Sequence, residues 1–194
     1  MDETRETAQV WNQKSHLEQT ITAGLHGIPE IKKEEKCTYL GVFREQVITY
    51  LTQNQVSEAA IYPEVKQALS YEKFHKMILN GNMEHHFINK YQLLAKKLQK
   101  AYTVIVTSDY DEAAGLVVAS TEAIELENIV VTDRTITLQK LGVPDKLIAS
   151  AGKKVCKKCL NTIANIAPQE QINYSQLTWI DRLAGDHCPA HDDS

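Results

Sequence analysis

Cys156-Lys-Lys-Cys159 and Cys188-Pro-Ala-His191 put two chelating pairs of metal-binding side chains near the C-terminal end of this sequence. Two thiolates separated by two residues fit on one turn, and a Cys-x-x-His pair can complete a tetrahedron around a single Zn²⁺. Such a closed set of four predicts a structural zinc held by Cys156, Cys159, Cys188 and His191. His187 is the alternative fourth ligand, but it adjoins Cys188 and is geometrically less natural. A redox role for the first pair would call for a preceding strand of a βαβ unit, which the sequence does not offer. Lys153, Lys154, Lys157 and Lys158 surround that pair. They either offset the charge of a three-thiolate site or form a phosphate-binding patch for nucleic acid; solvated counter-charge is the plainer expectation.

Other residue types capable of chemistry are scattered. The polar loop Ser108-Asp-Tyr-Asp-Glu112 follows a valine-rich segment, and loops at strand ends of α/β sheets often hold ligands. Asp109 or Asp111 capping a helical turn is the expected use. His85 and His86 are adjacent on a predicted helix and point about 100° apart, so they do not share a metal. Cys37 stands alone as an inert thiol. Neither a Walker loop, a Gly-x-Gly-x-x-Gly, a His-Glu-x-x-His nor a Gly-x-Ser-x-Gly occurs, which removes support for phosphate-loop hydrolysis and zincin proteolysis.

The chain that must position these groups has 194 residues, 43% of them hydrophobic, enough for a packed core without disulfides. A net charge of −4 argues against a binder of nucleic acid over its whole surface, though not against a local basic patch. The opening Met1-Asp-Glu-Thr-Arg-Glu is acidic where a signal peptide would be basic and then apolar. The apolar stretch 113–119 is far too short to span a bilayer. A cytoplasmic address is the expectation, and in a reducing compartment a Cys-x-x-Cys pair binds metal more often than it closes a disulfide.

Hydrophobic spacing outlines the elements. Leu17, Ile21 and Leu25, with Val10 and Trp11 upstream, predict an amphipathic helix over 4–24. The mixed-charge run 32–36 reads as a solvated loop. Residues 44–56 are rich in β-branched side chains and are expected to form a strand, although Phe43, Val47 and Leu51 also fit one helical face. Pro63 opens a short helix. Residues 74–79 form a strand that Asn80-Gly81-Asn82 ends, capping the next element. Phe87, Tyr91, Leu94 and Leu98 share the face of a helix over 83–101. Thr103-Val-Ile-Val-Thr reads as a buried strand. Gly115-Leu-Val-Val-Ala, a helical turn over 121–126 and a strand at 128–131 follow. After a break at Gly142-Val-Pro144 comes a short helix over 145–151, ended by Gly152. Trp179, Ile180 and Leu183 are expected to pack the C-terminal segment onto the core.

Taken together, Gly27-Ile-Pro-Glu, Tyr39-Leu-Gly-Val-Phe-Arg-Glu-Gln-Val, Thr103-Val-Ile-Val-Thr-Ser-Asp and Gly115-Leu-Val-Val-Ala-Ser resemble the YueI family, a family of unknown function from Gram-positive bacteria. The resemblance covers roughly residues 20–135. Gln46 stands where the family resemblance leads one to expect an arginine, so no role is carried over to that position. The resemblance implies a fold of the Bacillus chorismate mutase-like class, which also hosts RNA-binding ribosomal proteins. It brings no catalytic residue.

The expected molecule is therefore an α/β protein with a mixed β-sheet and packed helices. Residues 1–38 form an N-terminal helix and connector, 39–142 the α/β core, and 143–194 a helix and a small zinc-binding module. The function that follows is a cytoplasmic binding protein with structural zinc, its candidate partners being RNA, a ribonucleoprotein or another protein. The alternative is a small enzyme with a pocket lined by Arg44, Glu45 or the 109–112 loop, by analogy of fold alone. A basic face joining Lys96, Lys97 and Lys100 to the cysteine-flanking lysines would favour nucleic acid.

Overall fold

The computed structural model describes residues 15, 33–110, 112–124, 126 and 128–190. The helix expected over 4–24 lies outside the described residues, apart from Ser15, as does His191. The first described helix is α1, Lys33–Thr38, formed where a solvated loop was expected. Its early Glu34 and Glu35 suit the positive end of the helix. Glu35 also accepts from the backbone N–H of Arg44 at 2.7 Å, so part of the charge run anchors the chain. Leu40 at φ 53° and Gly41 at φ 87° turn the backbone out of α1 and bury the Leu40 side chain.

A four-stranded mixed sheet follows, in the order β1-β4-β2-β3. Strand β1 is Val47–Leu51, and the helices α2, Gln53–Ser57, and α3, Pro63–Leu69, come directly after it. The segment read as one strand thus holds a 3-10 turn, a strand and a helix. The register of β1 shifts between Val47 and Thr49. The shift sends Ile48 and Leu51 to one face and Val47 and Tyr50 to the other. That irregularity is why alternation in the sequence was ambiguous there.

Strand β2, Phe74–Asn80, runs into helix α4, His85–Lys97, and returns as β3, Tyr102–Ile105, parallel to β2. Strand β4, Leu116–Ser120, is antiparallel to both β1 and β2. Its five residues are all buried, as its central position requires. Successive residues alternate between two cores. Leu116, Val118, Met77 and Leu79 pack with Val65, Leu69, Ile88, Tyr91 and Leu94 of α3 and α4. Val117, Ala119 and Ile78 pack with Leu40, Val42, Ala113 and Ile129 on the opposite face.

Three local expectations are corrected. Strand β3 is at the sheet edge, not buried: Thr103 and Val104 are exposed, and Val106 beyond it is 73% exposed. A Val/Ile/Thr run looks the same in a central and an edge strand, and only topology separates them. The Asn80-Gly81-Asn82 turn does not cap α4, whose N-cap, Glu84, makes no side-chain cap bond. Asn80 is instead fully buried, donating from Nδ2 to the carbonyls of Tyr110 (2.8 Å) and Ala114 (3.2 Å). Finally, the described residues of 121–126 form no helix, and 128–131 contributes a single bridge, Tyr50 to Val130.

The chain then builds a second cluster. Helix α5, Arg134–Lys140, starts at Asp133, whose Oδ1 accepts from Ile136 N. Helix α6, Asp145–Ile148, is shorter than the expected 145–151. Strand β5, Lys154–Val155, precedes helix α7, Lys157–Ile166; β6, Ser175–Gln176, and helix α8, Trp179–Leu183, complete the set. Leu138, Val143, Leu147, Val155, Ile163, Tyr174 and Leu177 form its core together with three cysteines. No helix among the described residues is long and apolar enough to cross a membrane.

Candidate metal centre

The cysteines are positioned from both sides of the β5–β6 pair. Strands β5 and β6 run parallel, with Val155 opposite Gln176 and the Leu177 N–H donating to the Val155 carbonyl at 2.9 Å. Cys156 follows Val155 directly and is the N-cap of α7, with extended backbone at φ −69° and ψ 163°. Cys159 lies on the first turn of α7. Cys188 comes from the opposite direction, after α8 has turned the chain back. Helix α8 is fixed by a reciprocal cap between Thr178 and Asp181 and by the ion pair Lys154–Asp181.

The three sulfurs lie within 4.8 Å of one another and all three residues are buried. Cys159 and Cys188 Sγ are 3.9 Å apart. Two sulfurs at the corners of a tetrahedron around zinc, each about 2.3 Å from the ion, are about 3.8 Å apart. A disulfide would hold them at about 2.05 Å. None of the three is in a disulfide. The arrangement therefore has the dimensions of a metal cage.

Electrostatics agree with that reading. Burial, with hydrogen bonds to Cys156 and Cys188, pushes the Cys159 thiol up to about 12. Burial acts upward on Cys188 too, but the backbone amides of Cys156 and Ala190 donate to its sulfur and, with the neighbouring thiols, hold it below the ordinary value. The Cys156 N–H reaches Cys188 Sγ at 3.3 Å. Amide donors and the positive end of α7 stabilise thiolate at this spot, while further negative charge there requires a cation. Soft sulfur donors suit a soft or borderline metal ion better than a hard one.

Of the four expected ligands, the structure brings together Cys156, Cys159 and Cys188. His187 is exposed and is not in the sulfur group. Lys153, Lys154, Lys157 and Lys158 are all exposed, with Lys154 engaged by Asp181, whose carboxyl that bond, with Thr178, holds down to about 2. The expected packing role of Trp179, Ile180 and Leu183 is overturned: they are 71, 60 and 77% exposed. The carboxylate of Asp181 takes the inward side of α8 in their place.

The remaining candidates disperse. Arg44 donates from Nη2 to the Leu126 carbonyl at 2.8 Å, a structural use. Ser108–Tyr110 forms one 3-10 turn with Asp109 exposed, and Asp111 lies outside the described residues. His86 pairs with Glu84 across 3.4 Å, and Cys37 is partly buried.

Sequence reasoning missed a buried polar network that joins this cluster to the sheet. Arg134 donates from Nε to Glu170 Oε2 (2.8 Å), from Nη2 to the Tyr174 hydroxyl (3.0 Å) and from Nη1 to the Ile148 carbonyl (3.3 Å). Asn173 adds a donor to Glu170 and, through both atoms of its amide, pairs with the backbone of Ile61. Nothing in a sequence marks an Arg and a Glu far apart along the chain as partners. The Asp133 cap that places Arg134 on α5 was the one available signal.

A family model described as "Protein of unknown function (DUF1694)" matches residues 14–130. The uncharacterised protein YueI of Bacillus subtilis (strain 168) is 26% identical over 113 residues, covering 58% of this chain and 86% of YueI. The crystal structure of the YueI protein from Bacillus subtilis shares the fold with a TM-score of 0.50 at 22% identity, covering 62% of this chain and 94% of that one. The family match ends at residue 130, ahead of Arg134 and of all three clustered cysteines.

Proposed function

This chain belongs to the DUF1694 family, and we propose that it is a binding protein whose C-terminal segment is a structural zinc module added to the family core. The observation that carries this reading is the trio of buried sulfurs within 4.8 Å of one another, beyond the end of the family match. His191 is the proposed fourth ligand, from the Cys188-Pro-Ala-His191 pair. A set of four protein ligands leaves no open position for substrate, so the metal's contribution is to cross-link α7 to the returning chain. In a segment whose two strands have two residues each, that link supplies folding energy which packing alone would not. Thiols that are not in disulfides suit a reducing compartment, so the reading includes a cytoplasmic address.

RNA contact through Lys153, Lys154, Lys157 and Lys158 is the weaker part of the reading, because Lys154 is already paired. The catalytic alternative draws no support from Arg44, whose guanidinium is committed to Leu126.

Elemental analysis of full-length protein purified without chelator tests the proposal. One zinc per chain is expected, and Cys159→Ser should lose it. Cobalt substitution should give the intense thiolate charge-transfer bands of a sulfur-rich tetrahedral site. Metal-free protein, or a Cys159→Ser variant that retains full stoichiometry, would sink the reading.

A further inference from the structure

The chain on both sides of Cys188 is in water. Residues 182–187 are exposed ahead of it and Pro189 is exposed after it, so Cys188 alone turns inward within 182–189. The sulfur trio therefore lies under a single layer of surface chain. A Cβ at Gly185, in the turn that brings this chain back, would meet no atom within 4 Å, so the turn is not packed against the body. Cys159 is the most open of the three, 9% exposed against 5 and 4% for Cys156 and Cys188. Its Sγ is 3.9 Å from Cys188 Sγ, which the Cys156 N–H holds at 3.3 Å. A disulfide needs about 2.05 Å, so an approach of roughly 1.9 Å closes the pair.

We propose that Cys159 and Cys188 are a peroxide-sensitive pair, joined as a disulfide by a two-electron oxidant of the hydroperoxide class, and that closing this bond discharges the metal. The inference rests on the metal reading given above and adds a way for the site to be switched.

The chemistry balances with one peroxide. Cysteine ligands are thiolates, which is the nucleophilic form of the side chain. The Cys159 sulfur attacks a peroxide oxygen: an S–O bond forms, the O–O bond breaks, and hydroxide leaves and is protonated by solvent. The Cys188 sulfur then attacks the sulfenic sulfur of Cys159. The S–S bond forms, the S–O bond breaks, and a second hydroxide leaves as water. Two thiolates, one hydrogen peroxide and two protons give one disulfide and two waters. The two electrons pass from the sulfurs to the peroxide, and the metal leaves in its original oxidation state, having lost two ligands.

Cys156 offers the competing bridge, to Cys159. That bond would lie within the first turn of α7 and would leave Cys188 without its link. Cys159 and Cys188 are 29 residues apart, so their bond closes a long loop and keeps the returning chain on α7 after the metal has gone. The oxidised form retains the cross-link that the metal supplied.

The test treats the full-length chain, purified without chelator, with hydrogen peroxide in slight excess. Released zinc is read with a chromogenic chelator against an untreated control, and the thiols by alkylation and peptide mass mapping. One zinc per chain should be released as a Cys159–Cys188 cross-linked peptide appears and Cys156 stays open to alkylation. A dithiol reductant with added zinc should reverse both changes. Cys156→Ser should still close the same bridge, and the oxidised parent chain should melt above reduced chain stripped of metal. Zinc retained with all three thiols intact, a Cys156–Cys159 bridge, sulfinic acid in place of the disulfide, or an oxidised chain that melts no higher than the stripped one would overturn the switch and leave the metal reading standing. A chain that holds no zinc before oxidation would overturn the metal reading and the release step together, whether or not the bridge then forms.

Discussion

Removing either half of the Arg134–Glu170 pair should cost more stability than almost any other single change in the molecule. The two side chains are 4 and 5% exposed, so solvent screens them little. Arg134→Met deletes the donors to Glu170, Tyr174 and Ile148 at once and leaves the Glu170 carboxylate buried with the Asn173 amide donating to it. Breaking a buried pair from one side costs roughly 3–5 kcal/mol, whereas exchanging both partners for apolar residues is often neutral or better. For a chain of this length each kcal/mol moves the midpoint by about 2–4 °C, so a drop on the order of 6–20 °C is expected. Glu170→Gln should act in the same direction, by stranding a guanidinium. The double variant Arg134→Met/Glu170→Leu should be more stable than either single one. Urea denaturation of the zinc-loaded chain, followed by circular dichroism, gives the free energies, and zinc stoichiometry at low temperature controls for damage to the metal site. A single substitution costing under about 1 kcal/mol, or a double variant as damaged as the two singles summed, would refute a paired, buried network.

Gly115→Ala is expected to destabilise by about 1–3 kcal/mol, read from thermal melts, because a Cβ there meets Gln53 Cα and the Thr52 carbonyl at 3.0 Å, backbone that cannot step aside. The pH dependence should carry a signature of Lys90. Burial lowers its ammonium to about 8, even though Nζ donates to the Val56 and Glu58 carbonyls. Between about pH 8 and the ordinary lysine value near 10.4 the unfolded chain holds the extra proton, so this group's contribution to stability rises with pH. Tyr62 and Tyr91, both raised chiefly by burial, act oppositely: their contribution is intact below about pH 10 and is lost above it. Lys90→Met should flatten the rise between pH 8 and 9.5, seen in urea midpoints against pH; an unchanged slope would show that Lys90 keeps its proton there.

Features carried by short-range spacing were legible in the sequence. Cys-x-x-Cys fixes two sulfurs on one turn whatever surrounds it, and of the four expected ligands Cys156, Cys159 and Cys188 are drawn together while His191 lies outside the described residues. Of the expected stripe, Tyr91 and Leu94 are buried on α4 with Ile88 and Ala95, and Phe87 and Leu98 pack partly buried against the same core, because helical periodicity is a local property. The α/β class followed in the same way from strand and helix signals alternating along the chain. Choices made by the packing of distant segments were not legible. Thr103-Val-Ile-Val-Thr has the composition of a central strand and lies at an edge, because β4, not β3, entered between β1 and β2. The shift in β1 breaks alternation at the point where the sequence offered two readings. The charge run before Tyr39 became a helix once Glu35 found the Arg44 amide. Trp179, Ile180 and Leu183 have the chemistry of core residues, yet the Asp181–Lys154 pair and the Thr178 cap rotate them into water. Residue type records what a side chain prefers; its neighbours are set by which surfaces fold together, and that is decided only in three dimensions.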